Sequence, residues 1–190
     1  MRVGILAVQG DYEAHADALT RLGVEGVLVR KPAELEGVEA LILPGGESTT
    51  QMKFLREEGL DKAIREFAGR GGALFGTCAG AILLAREVRN PAQESLNLAD
   101  IVITRNAYGR QVASEIRQGT SQLGQGQLEM VFIRAPVIAD VGKGVDVLAE
   151  SEGRAVLVRQ GKVLVATFHP ELSAETTVHA FFLKLARNGH

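Results

Sequence analysis

Four short runs, residues 3–8, 27–29, 40–43 and 73–75, are nearly continuous in Val, Ile, Leu, Ala and Phe rather than alternating with polar residues. Strands buried on both faces read this way, and such strands belong to parallel sheets covered on both sides. Helical patterns lie between them. Residues 12–22 place Ala14, Ala18 and Leu22 on one face, and residues 49–70, interrupted at Gly59, carry Phe54, Leu55, Ile64 and Phe67. Strand alternating with helix predicts an α/β fold, a three-layer sandwich around a mostly parallel central sheet.

From residue 100 the rhythm changes. Runs at 100–104, 127–133, 145–149, 155–159 and 163–168 follow one another across short turns and predict an antiparallel extension of the sheet. The clearest hairpin spans 155–168, with Gln160-Gly161-Lys162 at its turn. A last helix is expected from Ser173 as N-cap, with Glu175 in the first turn, Val178, Phe181, Phe182 and Leu185 on one face, and Arg187-Asn188-Gly189 at its end. No repeat or linker interrupts the 190 residues, which fit one domain over 1–190.

A net charge of -2 gives none of the basic footprint that nucleic acid or anionic lipid requires, so neither is an expected partner. The first ten residues read as a strand rather than a leader, and no apolar stretch approaches the roughly 18 residues that span a bilayer. One cysteine allows no internal disulfide and fits a reducing compartment, so a cytoplasmic location is expected.

That cysteine has a particular setting. The strand at 73–75 runs into Gly76-Thr77-Cys78-Ala79-Gly80, and an apolar helical run, residues 81–85, follows. This is a nucleophile elbow with cysteine in place of serine. A sharp strand-to-helix turn exposes its central residue, and the helix start presents unpaired N–H groups that favour a thiolate. A lone cysteine is ordinarily a small buried hydrophobe, but the glycine spacing and the strand-turn-helix context point to a nucleophile. It then needs a base. His15, His179 and His190 fall on helices or at the terminus and read as surface or packing residues. His169 directly follows the run at 163–168, where parallel-type sheets place ligand-binding residues, and Glu171 is close enough to set its tautomer. Cys78, His169 and Glu171 are therefore the expected catalytic residues.

The loop Pro44-Gly45-Gly46-Glu47-Ser48-Thr49 follows the third strand and enters a helix. Its paired glycines leave backbone N–H groups accessible, so Gly46 N–H with Ala79 N–H forms the expected oxyanion hole; on its own Pro-Gly-Gly would be an ordinary turn. Neither a phosphate-binding loop nor a His/Cys metal pattern is present, so no cofactor and no metal is expected.

Together, the elbow and His169-Pro170-Glu171 resemble the triad (class I) glutamine amidotransferases, over the whole chain. Within that class the sequence resembles the glutaminase subunits of two-component pyridoxal 5'-phosphate synthases. It rests on Ala7-Val8-Gln9-Gly10, the 44–49 loop, Arg105-Asn106-Ala107-Tyr108-Gly109-Arg110-Gln111, Phe132-Ile133-Arg134-Ala135-Pro136 and Phe168-His169-Pro170-Glu171-Leu172. The resemblance implies L-glutamine as substrate, held by Gly46, Glu47, Ser48, Arg105, Ile133 and Arg134. It also implies a PdxS-type synthase subunit as partner in a hetero-oligomer, receiving ammonia for vitamin B6 synthesis. Two arginines suit an α-carboxylate, and Glu47 suits an α-ammonium. The chain departs from the family at Val112-Ala113-Ser114-Glu115, where an aromatic usually precedes the glutamate, and at Ser173-Ala174-Glu175, where acidic residues are common. A stand-alone cysteine hydrolase and a non-catalytic subunit are the alternatives; the pocket residues argue against the first and the intact triad against the second.

Overall fold

A computed structural model describes residues 1–106, 114–124 and 126–188. Five strands form the parallel part of a nine-stranded sheet: β1 (Val3–Leu6), β2 (Gly26–Val29), β3 (Ala40–Leu43), β4 (Ala73–Thr77) and, much later in the chain, β12 (Val163–Ala166). Beyond β12 the sheet continues antiparallel through β11 (Arg154–Gln160), β10 (Asp146–Ser151), β7 (Glu115–Ser121) and β8 (Gln127–Phe132), in the order β2-β1-β3-β4-β12-β11-β10-β7-β8.

The continuous apolar runs are explained by two cores. In β3, Ala40 and Ile42 face one core while Leu41 and Leu43 face the other; β4 divides Ala73 and Phe75 from Leu74 in the same way. A period of two with both faces buried leaves no position for a polar residue. One core is closed by α1 (Tyr12–Arg21) and α5 (Thr177–Arg187) through Leu19, Val178 and Phe182, the other by α2 (Ser48–Glu57), α3 (Leu60–Gly69) and α4 (Ala79–Leu84) through Leu55, Ile64 and Leu83. Each large apolar side chain buried this way contributes about 1.5–3 kcal/mol relative to exposure. Gly59 separates α2 from α3 at φ 72°, a conformation that favours glycine.

The structure departs from the sequence-based expectation at several points. The run at 100–104 does not join the main sheet. As β6 (Ala99–Thr104) it forms a second, three-stranded sheet between β5 (Ala85–Arg89) and β9 (Val137–Val141). Strand β5 was hidden because the apolar run of α4 leads straight into it; α4 ends after six residues, and Arg86 pairs with Asp100 on β6 and with Asp140 on β9. Finally, α5 starts at Thr177 with Thr176 at its cap, not at Ser173. The Ser173 hydroxyl instead donates to Glu129 and accepts from the Glu175 N–H, closing a turn ahead of the helix. Gly189, at the expected end of this helix, and the terminal His190 lie outside the described residues.

Candidate active site

The elbow has the strained geometry its glycines foreshadow. Cys78 sits at φ 47° and ψ -100°, a sparsely populated region that costs a non-glycine residue about 1–3 kcal/mol and must be held by its surroundings. Its N–H bonds Ala166 O on β12 at 2.9 Å. A Cβ on Gly80 would collide with the Leu43 carbonyl, and one on Gly76 would meet Gly80 O, so only glycine lets α4 start this close to the sheet. The Cys78 Sγ is 3.9 Å from the Ile133 carbonyl.

β12 ends at Ala166 and the chain bends through Thr167 and Phe168 to His169, whose N–H bonds Val131 O on β8 at 2.8 Å. The His169 Nδ1–H donates to Glu171 Oε1 at 2.7 Å, which leaves Nε2 for the Cys78 side chain. Burial pulls the imidazole down, but hydrogen bonding to Cys78 and Glu171, together with their charge, outweighs it and raises the His169 pKa to about 10. Burial likewise pushes the Glu171 carboxyl up. The neighbouring His15 and His169 rings and its own backbone N–H more than offset this and hold it below the usual carboxylate range. A third grouping is possible here, because Asp11, His169 and Glu171 bring potential cation ligands within 4.8 Å of one another. His169 Nδ1 and Glu171 Oε1 are already committed to each other, however, which is the arrangement of an acid–base pair.

A cavity of about 380 Å³ opens in front of the Cys78 and His169 side chains. Its lining includes all six of the expected substrate-binding residues, Gly46, Glu47, Ser48, Arg105, Ile133 and Arg134, together with Ala79. Glu47 caps α2, accepting from Thr50 N–H at 2.9 Å through Oε2, while Oε1 meets Arg105 Nη2 at 3.3 Å. Desolvation pushes the Glu47 carboxyl up, but the Thr50 and Thr49 hydrogen bonds and the Arg105 charge hold it below its ordinary value. The Ser48 hydroxyl is engaged by Gln93 Oε1 at 2.8 Å, so its side chain is not free to bind a ligand without exchanging that bond. Arg134 is held at φ 44°, turning the chain after Ile133 along the cavity wall. Residues 107–111 of the motif beginning at Arg105, and Val112-Ala113 of the departure beyond it, lie outside the described residues.

Gln9, Asp11, Ile82 and Asn106 also line the cavity and were not singled out from sequence as site residues. Gln9 follows the end of β1, a position that itself signals a ligand-facing residue. Its Oε1 accepts the Glu47 N–H at 2.8 Å, and the Asp11 N–H donates to Gly45 O at 3.2 Å. The peptides on both sides of Gly46 are thus pinned by the turn between β1 and α1. His15 and His179, expected as surface or packing residues, are fully buried and hydrogen-bonded to each other at 2.9 Å behind the site.

Comparison with known proteins gives the family. A family model described as the SNO glutamine amidotransferase family matches residues 5–188. A protein of Koribacter versatilis named pyridoxal 5'-phosphate synthase subunit PdxT is 53% identical over 190 residues, covering 100% of this chain and 98% of its own. A Thermus thermophilus protein of the same name is 53% identical over 186 residues, covering 97% of each. A crystal structure described as a glutamine amidotransferase superposes with a TM-score of 0.92 at 50% identity, covering 97% of this chain and 98% of that one. The PurLQS structure from Thermotoga maritima, at 18% identity and a TM-score of 0.73, shares the fold.

Proposed function

Since this chain belongs to the SNO glutamine amidotransferase family, we propose that it is the glutaminase subunit of a pyridoxal 5'-phosphate synthase, hydrolysing L-glutamine to L-glutamate and passing the ammonia to a synthase subunit. The observation that carries this is one cavity in which Cys78 and His169 meet Glu47 and Arg105. Glu47 and Arg105 form an opposite-charge pair, and an α-amino acid presents the complementary pair, ammonium and carboxylate. Glutamine can replace their mutual contact with two charge-assisted ones, with Arg134 as a second cation for the carboxylate. Gly46 and Ser48 line the same cavity.

With the α-carbon held there, the Cys78 sulfur attacks the side-chain carboxamide carbon. Charge developing on the oxygen is met by the N–H groups of Gly46 and Ala79, while the Ile133 carbonyl is placed to accept from the carboxamide NH2. His169 donates its proton to the departing ammonia, and the C–N bond breaks to leave a γ-glutamyl thioester. His169 then takes a proton from water, which attacks the thioester, and the S–C bond breaks to release glutamate. Glu171 holds the ring in the tautomer that keeps Nε2 towards sulfur throughout. The free thiol suits a reducing cytoplasm.

Ammonia released early would be lost to solvent, so turnover is expected to depend on the partner. The pinned Gly45–Gly46 and Gly46–Glu47 peptides supply the means, because a partner seated on the turn that carries Gln9 and Asp11 would shift the donors at Gly46. Ammonia release from glutamine, assayed with and without a synthase subunit and after thiol alkylation, tests this reading. Release that alkylation abolishes is the expected result. No release even with the synthase subunit would overturn the function, and equal rates with and without it would overturn the partner dependence.

A further inference from the structure

Behind the triad lies a buried polar chain that the mechanism above does not use. His15 on α1 contacts His179 on α5 through Nδ1···Nε2 at 2.9 Å, and its own Nε2 lies 3.1 Å from Thr77 Oγ1 and 3.6 Å from Glu171 Oε1. All four side chains are buried. Thr77 immediately precedes the nucleophile, so one ring touches both the elbow and the triad carboxylate. We propose that His15, held in one tautomer by His179, is a positioning residue that aims its Nε2–H at Glu171 and so sets the carboxylate against His169.

The tautomers follow from the partners. Burial, the leading cause in each, lowers His15 below its ordinary range and His179 to about 3 and so favours the neutral form of both rings, and Phe75 packs edge-on against both. A neutral imidazole has one donor and one acceptor. Nδ1 of His179 is buried with no hydrogen-bond partner among the described residues. A proton there would be a donor with nothing to donate to, and it would force the proton of His15 onto Nδ1. The Nε2 lone pair of His15 would then accept from the Thr77 hydroxyl but would also face the anionic Glu171 at 3.6 Å. Placing the proton of His179 on Nε2 removes both penalties: it donates to Nδ1 of His15, and the proton of His15 then sits on Nε2, directed at Thr77 and Glu171.

Glu171 depends on this second ring because its support is sparse. Oε1 receives the His169 N–H, the carboxylate also meets its own backbone N–H, and no described residue donates to the buried Oε2. At 3.6 Å the His15 contact is an electrostatic one rather than a full hydrogen bond, which suits a group that limits where the carboxylate can swing. A buried histidine pair serving only to fill the core would need no N–H facing the triad.

The proposal rests on the triad as assigned above, and its test separates the two. In the 15N-histidine-labelled chain at neutral pH, long-range 1H–15N correlations are expected to show His15 and His179 both neutral and protonated at Nε2; a proton on Nδ1 of His15, or a charged ring, overturns the proposal and needs no variant. With the synthase subunit present, His15→Leu is expected to lower kcat for glutamine hydrolysis roughly ten- to a hundredfold at unchanged KM, the scale of a misplaced catalytic group. His15→Gln, whose amide keeps a donor near the Nε2 position, is expected to recover most of it. The low-field resonance of the His169 Nδ1–H should be lost in His15→Leu and kept in His15→Gln. Equal loss in both variants, or unchanged kcat and resonance in His15→Leu, overturns it. If no variant and no wild-type sample releases ammonia, the glutaminase reading fails while the nitrogen tautomers and the resonance still decide the role of His15.

Discussion

The molecule holds two buried histidine environments a few ångströms apart, with opposite electrostatics. At the front, His169 is raised to about 10 because a carboxylate and a sulfur offset what burial takes away. At the rear, His179 is lowered to about 3, because burial disfavours its charged form and the His15 ring beside it adds to that. Burial by itself drives an imidazole towards neutrality, and a contacting carboxylate reverses the outcome. One glutamate, Glu171, faces both regions, bonded to one ring at 2.7 Å and 3.6 Å from another.

The largest effect expected from breaking this asymmetry is at the sulfur. Cys78→Ala should lower glutamine turnover by roughly a millionfold while leaving glutamine binding, followed by calorimetry, nearly intact. Next is Glu171→Gln, which keeps shape but removes the charge that sets the front ring apart. Turnover should fall roughly a thousandfold or more, and the His169 ring should titrate well below about 10 by NMR. Arg105→Ala removes a cation from the proposed α-carboxylate site. It should raise KM roughly ten- to a hundredfold, the scale of one hydrogen bond to a charged group, with a smaller change in kcat; unchanged KM would remove Arg105 from the pocket.

The smallest effect concerns stability against pH, where the two environments should tilt in opposite directions. The raised pKa of His169 gives a contribution fully present below the ordinary 6.5 and lost as pH rises towards about 10. The depressed values of His15 and His179 do the reverse: the unfolded chain takes up protons that the folded chain refuses, so stability falls as pH drops below 6.5. Glu171 adds to the acid side below its ordinary 4.5. Denaturant midpoints measured from pH 5 to pH 10 should flatten at the alkaline end in His169→Gln and at the acid end in His179→Leu, each slope amounting to about 1.4 kcal/mol per pH unit at most. Parallel profiles for the two variants would show that the environments do not differ.

What could be seen from the chain alone follows the range of each interaction. The elbow is a local device, legible in five consecutive residues, and His169-Pro170-Glu171 completes its hydrogen bond over two residues. The parallel core was legible because both faces of β3 and β4 are buried, which leaves no polar residue to obscure the run. Strand β7 was not legible. Its sequence Glu115-Ile116-Arg117-Gln118-Gly119-Thr120-Ser121 is almost wholly polar or exposed, and it is a strand because β8 and β10 flank it. His15 escaped for a related reason: its partners are 62 and 164 residues away, and nothing in a helix of ordinary composition marks one face as resting on a carboxylate. Gln93, which occupies the Ser48 hydroxyl, shares that long-range character.

The contact between Gly80 and the Leu43 carbonyl sets a rule for anyone transplanting this chemistry. Leu43 is the last residue of β3, one step before the Pro44-Gly45-Gly46 loop, and Gly80 lies in the first turn of α4, two residues beyond the nucleophile. The nucleophile and one wall of its cavity are therefore halves of a single joint, closed only when both strand ends lie at one height and the residue facing the Leu43 carbonyl carries no side chain. A graft of the elbow onto another sheet would have to bring the neighbouring strand and its loop as one cassette, in the same register.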